Sequence, residues 1–124
     1  MGNEFEGLMF PVKATVTKGC GAGCRVSHEV GQVWYMRSTP PGICSFAFNA
    51  MFPAYWTLRF GGSDPTEENP DVMHVTCGQA SCAAQFRVER ISEVEAKELQ
   101  AQANLITIES LQKSYPEGLS RRTV

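Results

Sequence analysis

The segment 44–56 constrains this chain more than any other. Cys44, Phe48, Met51, Phe52 and Tyr55 recur there at helical spacing, which predicts an aromatic helix. Pro53 lacks an amide hydrogen and its ring crowds the preceding turn, so the helix is expected to kink or end at it. A turn over 38–42, centred on Pro40-Pro41-Gly42, precedes the helix. Gly61-Gly62 and the polar stretch 63–70 follow it as a loop. The aromatic set Phe46, Phe48, Phe52, Tyr55, Trp56 and Phe60 is expected to lie mostly in the core, yet it is too broad for one helix face. Phe46, Trp56, Arg59 and Phe60 are therefore candidates for a subunit interface or a ligand contact.

On either side of this helix the pattern changes to strands. Val12, Ala14 and Val16 alternate with Lys13, Thr15 and Thr17, the mark of a half-buried strand within 8–18. Residues 32–37 are rich in β-formers and predict a second strand. Residues 72–77 and 83–91 predict two more, close enough in sequence to form an antiparallel hairpin. Ser92 with Glu95 three residues on reads as a capping box, opening a helix that runs to about Lys113. The expected fold is α+β: a small antiparallel sheet of about four strands, an aromatic-rich helix between its halves, and an added C-terminal helix. The organisation is a domain over 8–91, a helix over 92–113 packed on it or on a partner, and a tail over 114–124. That helix carries Ala96, Leu99, Ala103 and Ile106 on one side and Leu105, Ile108 and Leu111 partly on another. One small sheet needs a single apolar stripe, so the surplus points to a second chain.

The chain has 124 residues, 43% of them hydrophobic and 19% charged, a globular composition that can bury one core without metals or disulfides. Its net charge is -2 and it has no basic footprint, which argues against nucleic acid. The longest apolar stretch is interrupted by Asn49, Pro53 and Arg59, so no membrane span is expected. The first residues have neither a basic region nor an apolar run, so a cytoplasmic location with reduced thiols is expected.

There are five cysteines. Cys20-x3-Cys24 and Cys77-x4-Cys82 form two close pairs on two loops, compatible with a tetrahedral thiolate site for zinc or iron, with His28 as a further nitrogen ligand. The competing reading is unliganded thiols, because neither pair has the stricter two-residue spacing. His28 has no carboxylate at a recognisable spacing, so a backbone-bonded loop histidine competes with a catalytic base. Asp64, Glu67, Glu68 and Asp71 read as a solvated loop. The glycines after the first strand do not complete a dinucleotide fingerprint, since Cys24 stands where its third glycine belongs.

The stretch GICSFAFNAMFPAYWTLRFGG, with FRVERI later, resembles a family of small bacterial and archaeal proteins without an established activity. Its pattern is Gly-x-Cys-Pro-x-Ala, an aromatic helix, Leu-x-Phe-Gly-Gly, Pro-Trp, a later Cys, and Phe-x-x-x-Arg-Ile. Gly42, Cys44, Ala47, Leu58, Phe60, Gly61, Gly62, Pro65, Cys77, Phe86, Arg90 and Ile91 match. Cys24, His28, Val30 and Gly31 match an upstream element that some members carry. Ser27, Ser45 and Thr66 depart from the pattern, replacing Gly, Pro and Trp. The family's Pro after the cysteine implies that Cys44 is a helix N-cap. Free amides and the helix dipole there would favour a thiolate able to act as nucleophile, redox thiol or metal ligand. The other reading is a small buried hydrophobe.

Two functions follow as expectations. One is a non-catalytic oligomerising module, or an accessory subunit of a larger enzyme, partnered by its own copies or by another protein. The other is a small thiol-redox or metal-binding protein acting through Cys44 with Cys24, Cys77 and His28. No complete catalytic set is present, which favours the first.

Overall fold

The computed structural model describes residues 9–21, 28–37, 39–40 and 42–102. In chain order the elements are β1 (Val12–Lys18), β2 (Val33–Tyr35), α1 (Ser45–Arg59), β3 (Val72–Thr76) and β4 (Gln85–Arg90). A second helix, α2, occupies 93–102. The strands form one antiparallel sheet in the order β2-β1-β4-β3. Two sequential hairpins thus join through β1 and β4, and α1 carries the chain from one edge strand to the other. The fold is α+β, with the aromatic helix between the two halves of the sheet.

The period-two pattern decides which face of the sheet α1 covers. Val12, Ala14 and Val16 stand opposite Arg90, Val88 and Phe86. Trp34 extends this row on one side and Met73 and Val75 on the other. Val12, Val16, Phe86 and Val88 are fully buried, and each such side chain stabilises the fold by about 1.5–3 kcal/mol. The outer face carries Lys13, Arg87 and Glu89, with Glu89 accepting from Arg87 at 3.2 Å and lying 3.7 Å from Lys13.

Of the two outcomes expected at Pro53, the structure excludes the ending of helix α1. The helix runs past Pro53 for a further turn and a half, to Arg59. Pro53 and Asn49, four residues before it, are both solvent-exposed. The carbonyl left without its partner therefore faces water, and burial of Ala54, Tyr55 and Leu58 beyond it holds the helix together. The core face also contains fewer aromatics than expected. It consists of Ala47, Met51, Ala54, Tyr55 and Leu58, with Phe48 half-buried. The two alanines let the helix backbone approach the sheet, and Phe52 turns outward, 40% exposed.

The far end of α1 is a Schellman closure. Gly61 donates to the Leu58 carbonyl and Gly62 to that of Thr57. Gly61 has φ +86, which a side chain would strain. A Cβ on Gly62 would lie 2.8 Å from Thr57 Cγ2. Arg90 then ties this end to the sheet. Its Nη1 donates to Leu58 O at 2.9 Å and Gly62 O at 2.6 Å, and its Nη2 to Pro70 O at 2.6 Å. Nε donates to Asp71 Oδ1 at 2.8 Å, and the Arg90 amide donates to Asp71 O. One guanidinium thus satisfies carbonyls that the helix end and the loop before β3 leave over.

Helix α2 begins after Ser92, whose Oγ accepts the Glu95 amide at 3.1 Å. The Glu95 carboxylate goes to Lys13 on β1. Ala96 is buried and Leu99 half-buried. Ala103, Leu105, Ile106, Ile108 and Leu111, on which the expected apolar surplus rests, lie outside the described residues, as does the tail.

Replacing Arg90 with Lys keeps one charge but cannot reach four acceptors. Arg90→Lys is expected to cost about 2–4 kcal/mol, from charged hydrogen bonds lost at the carbonyls of Leu58, Gly62 and Pro70. Urea denaturation measures it, and a loss below about 0.5 kcal/mol, the range of an ordinary surface change, would contradict the clamp.

Candidate functional site

Three loops converge below the start of α1. Gly21, next to Cys20, donates its amide to Cys82 O at 2.8 Å, which brings the two cysteine loops together. Cys20 and His28 are bonded twice: the Cys20 amide donates to His28 O, and the His28 amide to Cys20 Sγ at 3.1 Å. This pairing turns the His28 ring inward, where it meets Trp34 and Phe86 edge-on, with centroids 5.0 and 6.0 Å away. His28 is 3% exposed.

His28 Nε2 accepts the Cys44 amide at 3.1 Å. Cys44 is the N-cap of α1, in extended conformation, and its thiol makes no capping hydrogen bond. Its carbonyl accepts the Phe48 amide at 2.8 Å. In a capping box a Glu at the third helical position would accept the N-cap amide. Here that position is the buried Ala47, and the imidazole of His28 takes the acceptor role from across the core. An accepting Nε2 carries no proton, so the ring is the neutral tautomer with its proton on Nδ1. Burial lowers the His28 pKa, against a smaller opposing effect of a hydrogen bond with Gln32.

The thiols are similarly restrained. Cys77 and Cys82 are each 5% exposed, and Cys44 is half-buried against the same core. Burial raises the Cys77 thiol, and the nearby Cys82 and Cys44 thiols raise it further, while a backbone bond at Gln79 opposes them. Burial thus favours the neutral imidazole of His28 and the protonated thiol of Cys77. Among the described residues no three His, Cys, Asp or Glu side chains form a group able to hold a metal ion. Cys24 lies outside the described residues. The loop carboxylates disperse: Asp64 accepts from Thr66, Glu67 from His74 and Asp71 from Arg90.

The interface candidates lie on the opposite side of α1. Phe46, Trp56 and Phe60 are 57, 46 and 47% exposed. Phe52 stacks on Trp56 at 5.3 Å, and Trp56 meets Phe60 edge-on at 4.8 Å, forming one ridge. The Arg59 guanidinium lies 5.4 Å from the Trp56 ring centre and 5.6 Å from that of Phe60. Phe52 belongs to this ridge, and its spacing of four from Trp56, with Phe60 four further on, was the available signal. Arg37 and Tyr55, which line a cleft with Arg59, had no such signal, because the chain after β2 and α1 are brought together by packing. No family model matches the chain, and no curated protein or solved structure matches it either.

The lowered His28 pKa has a definite sign for stability. Below about pH 6.5 the unfolded chain takes up this proton before the folded one does, so stability is lost as pH falls from there toward the native value. His28→Gln keeps an acceptor for the Cys44 amide but removes the titration. It should flatten the fall in urea midpoint over that window relative to wild type. An unchanged slope would show that His28 titrates alike in both states.

Proposed function

We propose that the protein is a non-catalytic, self-associating module in which the aromatic ridge of α1 packs against a second copy. The observation that carries this reading is the ridge itself: Phe52, Trp56 and Phe60, at the C-terminal half of α1 and its cap, are all at least 40% exposed, as is Phe46 at the start of the helix. Aromatic residues are enriched in interface cores, and a two-fold contact sets one such ridge against its own copy. Arg59 is the sole charged residue of α1. The ridge thus carries no charge pattern that would select a foreign surface by complementarity. The accessory role in a larger enzyme is an extension of the same reading, with the dimer as its assembling unit.

A thiol-redox or metal role for Cys44 with Cys24, Cys77 and His28 is the second reading. The grouping of the Cys44, Cys77 and Cys82 thiols favours it, and their burial opposes it. Alkylation of folded protein separates the two: rapid labelling of Cys44 near neutral pH supports thiol chemistry.

For the first reading, sedimentation velocity at micromolar concentration should show a dimer. Trp56→Ser with Phe60→Ser should weaken it by about a hundredfold or more, the scale of losing interface anchors. A wild-type monomer at all concentrations up to about 100 μM, weaker than about −5.5 kcal/mol of association, would overturn it.

A further inference from the structure

A cleft of about 420 Å³ opens where the segment before β1 and the chain after β2 meet the C-terminal half of α1. Pockets of this size accommodate small molecules. Its apolar wall includes Met9, Phe10 and Met36, and its polar wall Arg37, Tyr55 and Arg59. The polar wall is held in place. The buried Tyr55 hydroxyl donates to Arg37 O at 3.0 Å and accepts from Arg59 Nη1.

The charge in the cleft is unbalanced. Arg59 Nη2 has the Met9 thioether as its acceptor, at 3.5 Å, which is a poor one. Neither Arg59 nor Arg37 is paired with a carboxylate among the described residues. Glu93, on α2, is the single acid lining the cleft among the described residues. Two guanidiniums against one carboxylate leave room for one negative charge. Half-burial of Arg59 over the aromatic ridge limits competition from water and keeps its fork oriented.

We propose that this cleft binds a small organic carboxylate, its head between Arg37 and Arg59 and its apolar body along Met9, Phe10 and Met36. The single net charge and the apolar wall select a monoanion with a hydrocarbon part over inorganic phosphate. Binding here is independent of the self-association reading, because the cleft is complete within one chain.

Hexanoate, benzoate, hexanamide and inorganic phosphate serve as probes, followed by calorimetry and by amide NMR shifts. Hexanoate or benzoate should bind, with shifts centred on Met36, Arg37 and Tyr55. Arg59→Met should weaken binding about tenfold or more, the scale of losing a charge-assisted pair. Arg37→Gln, an exposed change at a side chain without a hydrogen-bonded side-chain partner among the described residues, should weaken it too. Overturning results are no binding of either carboxylate at millimolar concentration, equal binding of hexanamide, phosphate binding as tightly as hexanoate, or unchanged affinity in both variants.

Discussion

The guanidinium of Arg90 is the interaction on which the architecture turns. It occupies a position on the core face of β4, opposite Val12 and in line with Phe86 and Val88. A charge there would be costly if unpaired. It is instead surrounded by carbonyls from the end of α1 and the loop before β3, and by Asp71. The Schellman closure at Gly61 and Gly62 places two of these acceptors, so glycines and arginine form one unit. At the other end of α1, His28 performs the complementary task by accepting the N-cap amide. The helix is thus fixed at both ends by side chains from elsewhere in the chain.

This anchoring explains how α1 can expose so much aromatic surface. The buried face carries Ala47 and Ala54, which let the helix approach the sheet, beside Met51, Tyr55 and Leu58, while the ridge at Phe52, Trp56 and Phe60 contributes little to the core. An exposed apolar ridge of this kind is unfavourable in an isolated chain and gains its stabilisation on contact with another surface. Arg59 lies between the two surfaces, over Trp56 on one side and against Tyr55 on the other. The position of the cleft and of the ridge therefore both derive from the fixed C-terminal half of α1.

Much of the fold was legible in the residues. The alternation of Val12, Ala14 and Val16, the hairpin of β3 and β4 and the central helix all follow from periodicity and turn chemistry. The pairing of β1 with β4 was not, since it joins segments about seventy residues apart. Pro53 does not end the helix, because the turn that follows is held by tertiary burial that local sterics do not register. Phe52 misled because hydrophobicity does not separate core from interface. The site was less legible than the fold. Period two does place Arg90 with Phe86 and Val88, a charge in a core row, and that was the readable sign of a clamp. The partnership of His28 with Cys44 had none, because two loops bring them together. Residues that carried the family resemblance, among them Leu58, Gly61, Gly62 and Arg90, are explained here by helix termination rather than by chemistry.

Native-state hydrogen exchange on Arg90→Lys is the most direct test of this dependence. The account predicts that the amides of Gly61, Gly62 and Val72 lose protection together, well beyond the loss at Ala14 and Val88 in the centre of the sheet. Equal loss at all five, or none at Gly61 and Gly62, would show that Arg90 does not hold the end of α1.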